Sequence, residues 1–194
     1  MNDLAPFLAS SEWIDVHHPL VQAQAQQLAA SLPDRHDQVA IAQACFEFVR
    51  DQVVHTGDAG HGPITCRASD VLAQGTGFCY AKSHLLAALL RAHGIPTALC
   101  YQRLSVGEQG APYCLHGLNA VWLSGHGWYR IDARGNKPGV QARFTPPVEV
   151  LAFEVRGPQE WDVQGWHGEP IKGIISLLTQ CHDVPTVRAN LPDA

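Results

Sequence analysis

At 194 residues, with 46% hydrophobic and 16% charged residues, the chain is long enough for one well-filled domain, short for two, and too apolar for a disordered segment. A formal net charge of −5, with no run or stripe of Lys and Arg, argues against nucleic acid as a partner. The aliphatic cluster Leu85-Leu86-Ala87-Ala88-Leu89-Leu90 is far too short to span a bilayer, and the opening Met-Asn-Asp-Leu-Ala-Pro-Phe lacks the basic and apolar regions of a secretion signal. The expectation is one cytoplasmic domain over residues 1–194, with no membrane partner.

Pro19 to Ser31 reads as a helix with Leu20, Ala23, Leu28 and Ala29 inward and its glutamines outward. Pro33-Asp34 breaks it, and Asp34 is placed to cap a second helix to about Val53. Val39, Ala42, Phe46, Val49 and Val53 fall there at helical spacing, with Cys45 as a core thiol. Gly57 to Pro63 marks a surface loop. Ser69 to Gln74 is a short helix capped by Ser69 and stopped by Gly75, and Gly75-Thr76-Gly77 is a tight turn. A third helix follows at once, with Ala81, Leu85, Ala88 and Leu89 inward and Gly94 as its stop.

After Pro96 the pattern changes to strands: Thr97 to Val106, then a polar connection over 107–112, then Cys114 to Leu123. Ser124-Gly125-His126-Gly127 turns the chain into a third strand, Trp128 to Ala133. Val148 to Val155 is a candidate edge strand and Ile171 to Gln180 a candidate terminal helix; the tail beyond Pro185 carries no pattern. Helices first and antiparallel strands second describe an α+β domain.

The chemistry lies at the junction. A reactive thiol needs stabilisation as an anion, access to substrate and a proton acceptor. Of the six cysteines, Cys79 alone stands at the start of a buried helix, where unpaired N–H groups favour an anion, after glycines that admit close approach. Cys45, Cys66, Cys100, Cys114 and Cys181 read as free thiols, with no Cys-x-x-Cys pair among them. Of the eleven histidines, His116 lies in the second strand, within about two positions of the register of Asp132 at the end of the third. A carboxylate there holds the imidazole tautomer that presents its other nitrogen to the thiol. A buried thiol, a satisfied strand histidine and a strand-end turn former are the competing readings of Cys79, His116 and Asp132. His55, His61, His84, His93 and His126 read as exposed or helix-surface residues. His17-His18 and Cys181-His182 are adjacent pairs ill suited to one metal. Trp161 and Trp166 are either core or the walls of a groove. Gln74 and the Gly57–Pro63 loop are candidates for a second oxyanion donor beside the Cys79 N–H.

The runs Ala68-Ser69-Asp70-Val71-Leu72, Gly75-Thr76-Gly77-Phe78-Cys79 and Leu89-Leu90-Arg91-Ala92-His93-Gly94-Ile95-Pro96 resemble the core of the transglutaminase-like superfamily. So do His116 opening a strand and Gly127-Trp128-Tyr129-Arg130-Ile131-Asp132 closing the next. The resemblance covers roughly residues 40 to 140. It implies a papain-like α+β fold, with the nucleophile helix packed on an antiparallel sheet. It also implies Cys79 as nucleophile, His116 as base and Asp132 as third member, forming a thioester from an amide and passing the acyl group to an amine or to water. Gly117-Leu118 stands where many members have Ala-Trp, and Ala133-Arg134 where many have Pro-Thr, so substrate choice is not carried over. Neither is calcium dependence, since no loop rich in oxygen ligands is present.

The expectation is therefore a cysteine protease, amidase or acyltransferase with no metal and no organic cofactor, acting on a protein, peptide or small amide substrate. An arylamine N-acetyltransferase is the enzyme alternative, and a non-catalytic binding or scaffold module on the same fold the alternative from another class.

Overall fold

In a computed structural model, which describes residues 3–107 and 110–194, the chain opens on a 3-10 turn and two helices, α1 (Pro19–Ala30) and α2 (Gln38–Gln52). α1 buries Val21, Ala25 and Ala29, an i, i+4, i+8 stripe, and leaves Leu20 47% exposed. The buried face is thus turned from the expected one, because the alanine stripe lets α1 approach its neighbours closely. α2 is capped by Asp37, whose carboxylate accepts from the Val39 and Ala40 N–H groups at 2.9 and 3.1 Å; Asp34 instead accepts from the His36 N–H at 2.8 Å.

Next come β1 (Val54–His55), α3 (Thr56–Ala59), α4 (Ala68–Gln74) and β2 (Thr76–Gly77). Gly57 therefore belongs to a helical turn rather than to the loop expected there. Ser69 is not the cap of α4: Arg67 holds that position, and the Ser69 N–H is satisfied by the Asp15 carboxylate at 3.0 Å. Gly75 ends α4 with φ of +64°, a conformation open to glycine. Thr76-Gly77 is no turn but a parallel partner of β1, with Val54 opposite Thr76 and His55 opposite Gly77.

α5 (Cys79–Ala92) is buried at every residue from Tyr80 to Arg91. It packs on α1, α2 and α4 on one side and on β3 (Thr97–Ser105) and β4 (Tyr113–Leu123) on the other. β5 (Gly127–Ile131) and β6 (Trp161–Asp162) complete an antiparallel sheet in the order β5-β4-β3-β6. The strand expected over 148–155 does not form; Val150 makes a single bridge to Arg143, and the edge is taken by β6 against Gln102 and Arg103. The polar connection over 107–112 includes Glu108 and Gln109, which lie outside the described residues, as do Met1 and Asn2 of the opening segment. α6 (Lys172–Gln180) and α7 (Val184–Ala189) close the chain, the latter in the stretch that carried no sequence pattern. Among the described residues no helix is long and apolar enough to cross a membrane.

Candidate active site

Cys79 is the first residue of α5, with Phe78 as its N-cap. The first helical hydrogen bond runs from the Lys82 N–H to the Phe78 carbonyl at 2.9 Å, so the N–H groups of Cys79, Tyr80 and Ala81 precede the ladder and carry the positive end of the helix dipole. Threonines hold the approach to this position. Thr65 Oγ1 donates to the Thr76 carbonyl at 2.9 Å, and the Thr56 and Thr76 hydroxyls meet at 2.8 Å. A Cβ on Gly77 would come within 3.2–3.4 Å of Ala81, Thr65 and Val71, so this glycine answers crowding.

Three contacts lock α5 to β4. The Tyr80 hydroxyl donates to the Leu115 carbonyl, Asn119 Nδ2 donates to the Ser83 carbonyl at 2.9 Å, and Gly117 lies against the Tyr80 backbone. A Cβ on Gly117 would meet Tyr80 Cδ1 at 2.9 Å, Cα at 3.2 Å and N at 3.3 Å, which accounts for a glycine at this position. Gly117→Ala is expected to cost about 1–3 kcal/mol by overpacking. Because the displaced backbone belongs to the residue after Cys79, activity is expected to fall further than stability. Thermal melts beside initial rates measure both.

His116 and Asp132 meet where β5 ends. Asn119 pairs with Ile131, and three residues back along β4 the His116 Nε2 donates to Asp132 Oδ2 at 2.7 Å. Asp132 is 1% exposed and also accepts from the Arg134 N–H at 3.1 Å and the Ala152 N–H at 3.2 Å. With Nε2 engaged, Nδ1 is the nitrogen left for the thiol, and Cys79 lies close enough for its charge to act on His116. Burial opposes a charged His116, yet the Asp132 and Cys79 charges and hydrogen bonds outweigh it and push the imidazole up to about 10. Burial likewise opposes a charged Asp132, and the His116 charge and three donors hold its carboxyl below the usual range. The ring of Phe153 stands edge-on to His116 at 5.0 Å and 89°.

The structure thus pairs His116 with Asp132 and sets Cys79 near the imidazole, while three other thiols are deeply buried. Burial pushes Cys45 and Cys66 up to about 12 and raises Cys100, which makes them inert. Gln74 lies exposed at the end of α4. Trp166 stacks on Trp128, and Trp161 covers Arg103. Among the described residues no group of three or more His, Cys, Asp or Glu side chains is arranged to hold a metal.

Of the histidines read as surface residues, His84 is interior and His55 is half-buried. His84 is fully buried with Nδ1 2.8 Å from the Cys66 carbonyl. His55 Nδ1 accepts from the Asp58 N–H at 3.1 Å and its ring is edge-on to Phe78. Burial, then the Arg134 charge, pushes His55 down to about 3. Two further residues went unread in the sequence. Arg134 pairs with Asp58 at 2.8 Å and lies 5.5 Å over the Phe153 ring that borders His116. Its place two residues after the aspartate, where the resemblance departs from Pro-Thr, was the available signal. Lys82, 1% exposed, donates to the Arg50 and Val53 carbonyls and so closes the end of α2. A lysine on the helical face of Leu85 and Leu89 was the signal there.

His116 and Lys82 give opposite pH slopes. His116 is raised in the folded chain from 6.5 to about 10, so its contribution to stability is complete below about pH 6.5 and is lost as pH rises through about 10. Burial lowers Lys82 from 10.5 to about 7, so its contribution is present above about pH 10.5 and is lost as pH falls through about 7. Relative to wild type, His116→Gln is expected to grow more stable with rising pH between 7 and 10, and Lys82→Met less stable. Taking differences from wild type cancels the buried thiols, which ionise in the unfolded chain in all three proteins. Urea midpoints at a series of pH values read the slopes.

Comparison with known proteins places this geometry. The model of the transglutaminase-like superfamily matches residues 24–133, more than half of the chain. Among solved structures, a candidate cysteine protease from Cytophaga hutchinsonii aligns with TM-score 0.54 at 21% identity, over 69% of this chain and 43% of its own. The periplasmic domain of TgpA from Pseudomonas aeruginosa aligns at TM-score 0.45 and 21% identity, over 66% of this chain and 45% of that one. Red sea bream transglutaminase aligns at TM-score 0.45 and 15% identity, over 59% and 27%. The chain spans less than half the length of each of these structures. No curated protein sequence matches it. On the extent of the family match, with the helices and antiparallel sheet described above, the chain belongs to the transglutaminase-like superfamily.

Proposed function

We propose that this domain is a thiol enzyme that cleaves or transfers the acyl group of a peptide or protein amide through a thioester on Cys79. The observation that carries the reading is the buried 2.7 Å contact between His116 and Asp132, with Cys79 at the start of α5 near enough for its charge to act on the imidazole. His116 takes the thiol proton and Asp132 stabilises the resulting imidazolium. The sulfur attacks the amide carbonyl, and the Cys79 N–H, ahead of the helical ladder, faces the oxyanion. His116 then protonates the departing amine. It next removes a proton from water or from an amine, which attacks the thioester and releases Cys79. Free thiols at all six cysteines support the reducing cytoplasm as the compartment we propose.

Iodoacetamide labelling between pH 5 and 8, located by peptide mass mapping on wild type and His116→Ala, tests the reading without a known substrate. Selective labelling at Cys79 below the ordinary thiol range of about 8.5, slowed in the variant, is expected. Slow labelling spread over several cysteines and unchanged by the substitution would leave only the scaffold reading. Product analysis with and without an added primary amine then separates the acceptors: an amide of that amine reports an amine route, free acid alone a hydrolase.

A further inference from the structure

The segment after α6 is anchored on Gly57 and Leu115, which in turn touch Phe78 and Tyr80, the neighbours of Cys79. At one anchor the Arg188 guanidinium donates to the Gly57 carbonyl. Gly57 abuts Phe78, since a Cβ on it would lie 3.0 Å from the Phe78 ring. At the other the Leu115 N–H donates to the Pro192 carbonyl at 2.8 Å, one residue before His116. Leu115 carries the carbonyl that holds Tyr80. The residues on either side of Cys79 are therefore touched by the same two anchor points that hold residues 188 and 192.

Between and beyond those anchors the segment is peptide-like. β5 pairs only with residues 119–123 of β4, and beyond it the Leu115 N–H is free to meet the Pro192 carbonyl while the Leu115 carbonyl is held by Tyr80. Leu191 packs against the main core. Asp193 sits bidentate on Arg103, with 2.6 Å to Nε and 2.7 Å to Nη2. Arg103 is clamped between the rings of Tyr113 at 4.0 Å and Trp161 at 4.6 Å, which fixes its fork in the plane a carboxylate requires. Cys114 lies between the two sites: burial pushes its thiol up to about 11, and the charges of both Cys79 and Asp193 add to that rise.

We propose that Leu191-Pro192-Asp193 occupies the peptide groove of Cys79, and that this groove takes an extended peptide with an acidic residue seated on Arg103. The proposal rests on Cys79 being the nucleophile and adds the substrate class. In the groove a peptide replaces the tail main chain at the Leu115 N–H, an aliphatic side chain replaces Leu191, and a carboxylate replaces Asp193. The Asp193 side chain is 46% exposed, so a carboxylate from solvent can compete for Arg103.

The experiment compares iodoacetamide labelling of Cys79 in the full chain, in a variant lacking residues 191–194, and in Asp193→Asn. The deletion is expected to label faster. Asp193→Asn, which loses only the ion pair, is expected to gain up to about fivefold, the equivalent of that pair. The probe is the capped peptide Asn-Leu-Pro-Asp, with its Asp replaced by Asn as control. At millimolar concentration the acidic peptide is expected to slow labelling of the deletion variant, the control to do so much less, and Arg103→Gln in the same background to abolish the difference. Unchanged labelling in the deletion with all other thiols still protected overturns the proposal, and so does equal protection by the two peptides. Should the deletion expose every cysteine at once, Asp193→Asn decides: no acceleration overturns it. Failure of the His116→Ala comparison strikes the catalytic reading, whereas failure here leaves that reading standing.

Discussion

Asp132→Ala is expected to destabilise the domain by about 3–5 kcal/mol at pH 6, the cost of breaking a buried ion pair by removing one partner. In a chain of this size that lowers Tm by on the order of 10 °C. Three donors lose their acceptor at once: His116 Nε2 and the N–H groups of Arg134 and Ala152. None is near bulk water, since Asp132, Arg134 and His116 are all buried. The loss is expected to shrink toward pH 9, because the pair's contribution in the wild type itself fades as His116 titrates toward about 10. A deficit that stays constant from pH 6 to pH 9 would show that packing, and not the charge on His116, sets the cost. Circular dichroism melts at the two pH values decide it.

His116→Ala is expected to lower the rate of amide turnover by about 10⁴-fold, the scale of removing one member of a triad that acts as a unit. Cys79→Ala is expected to lose as much, and the double variant no more than either alone, because the thiol and the imidazole serve one proton transfer. Fold should survive in Cys79→Ala, since Cys79 is only partly buried at the helix start. His116→Ala leaves Asp132 as a buried carboxylate facing only its two backbone donors, so its Tm is expected to drop as well. Rates that multiply in the double variant would mean that the two residues serve separate steps.

The contacts around His116 show why substrate choice was not legible in the same residues that revealed the chemistry. Gly117 admits the Tyr80 backbone, and Arg134 ties the Asp132 end of β5 to Asp58 and the Phe153 ring. Both positions depart from the family pattern, and both depend on partners far away in the chain. The groove proposal has the same character: Arg103 and Asp193 are 90 residues apart, and the tail has no periodicity to mark it.

What the sequence determined by itself was local. The glycine stop, the aliphatic run and the second stop at Gly94 put Cys79 at the head of a buried helix, since helix starts and stops are set by backbone preferences within a few residues. Likewise the four-residue turn at 124–127 brought His116 within two places of Asp132, because a hairpin's register follows from its turn. Tertiary packing decided the rest. Which stripe of α1 is buried, and that 161–162 rather than 148–155 forms the fourth strand, depend on which neighbour offers close contact or an open edge. A charged side chain such as Lys82 can lie in the core only where the carbonyls at the end of another helix receive it. Burial and long-range pairing are properties of two surfaces meeting, and one segment's pattern names only its own surface.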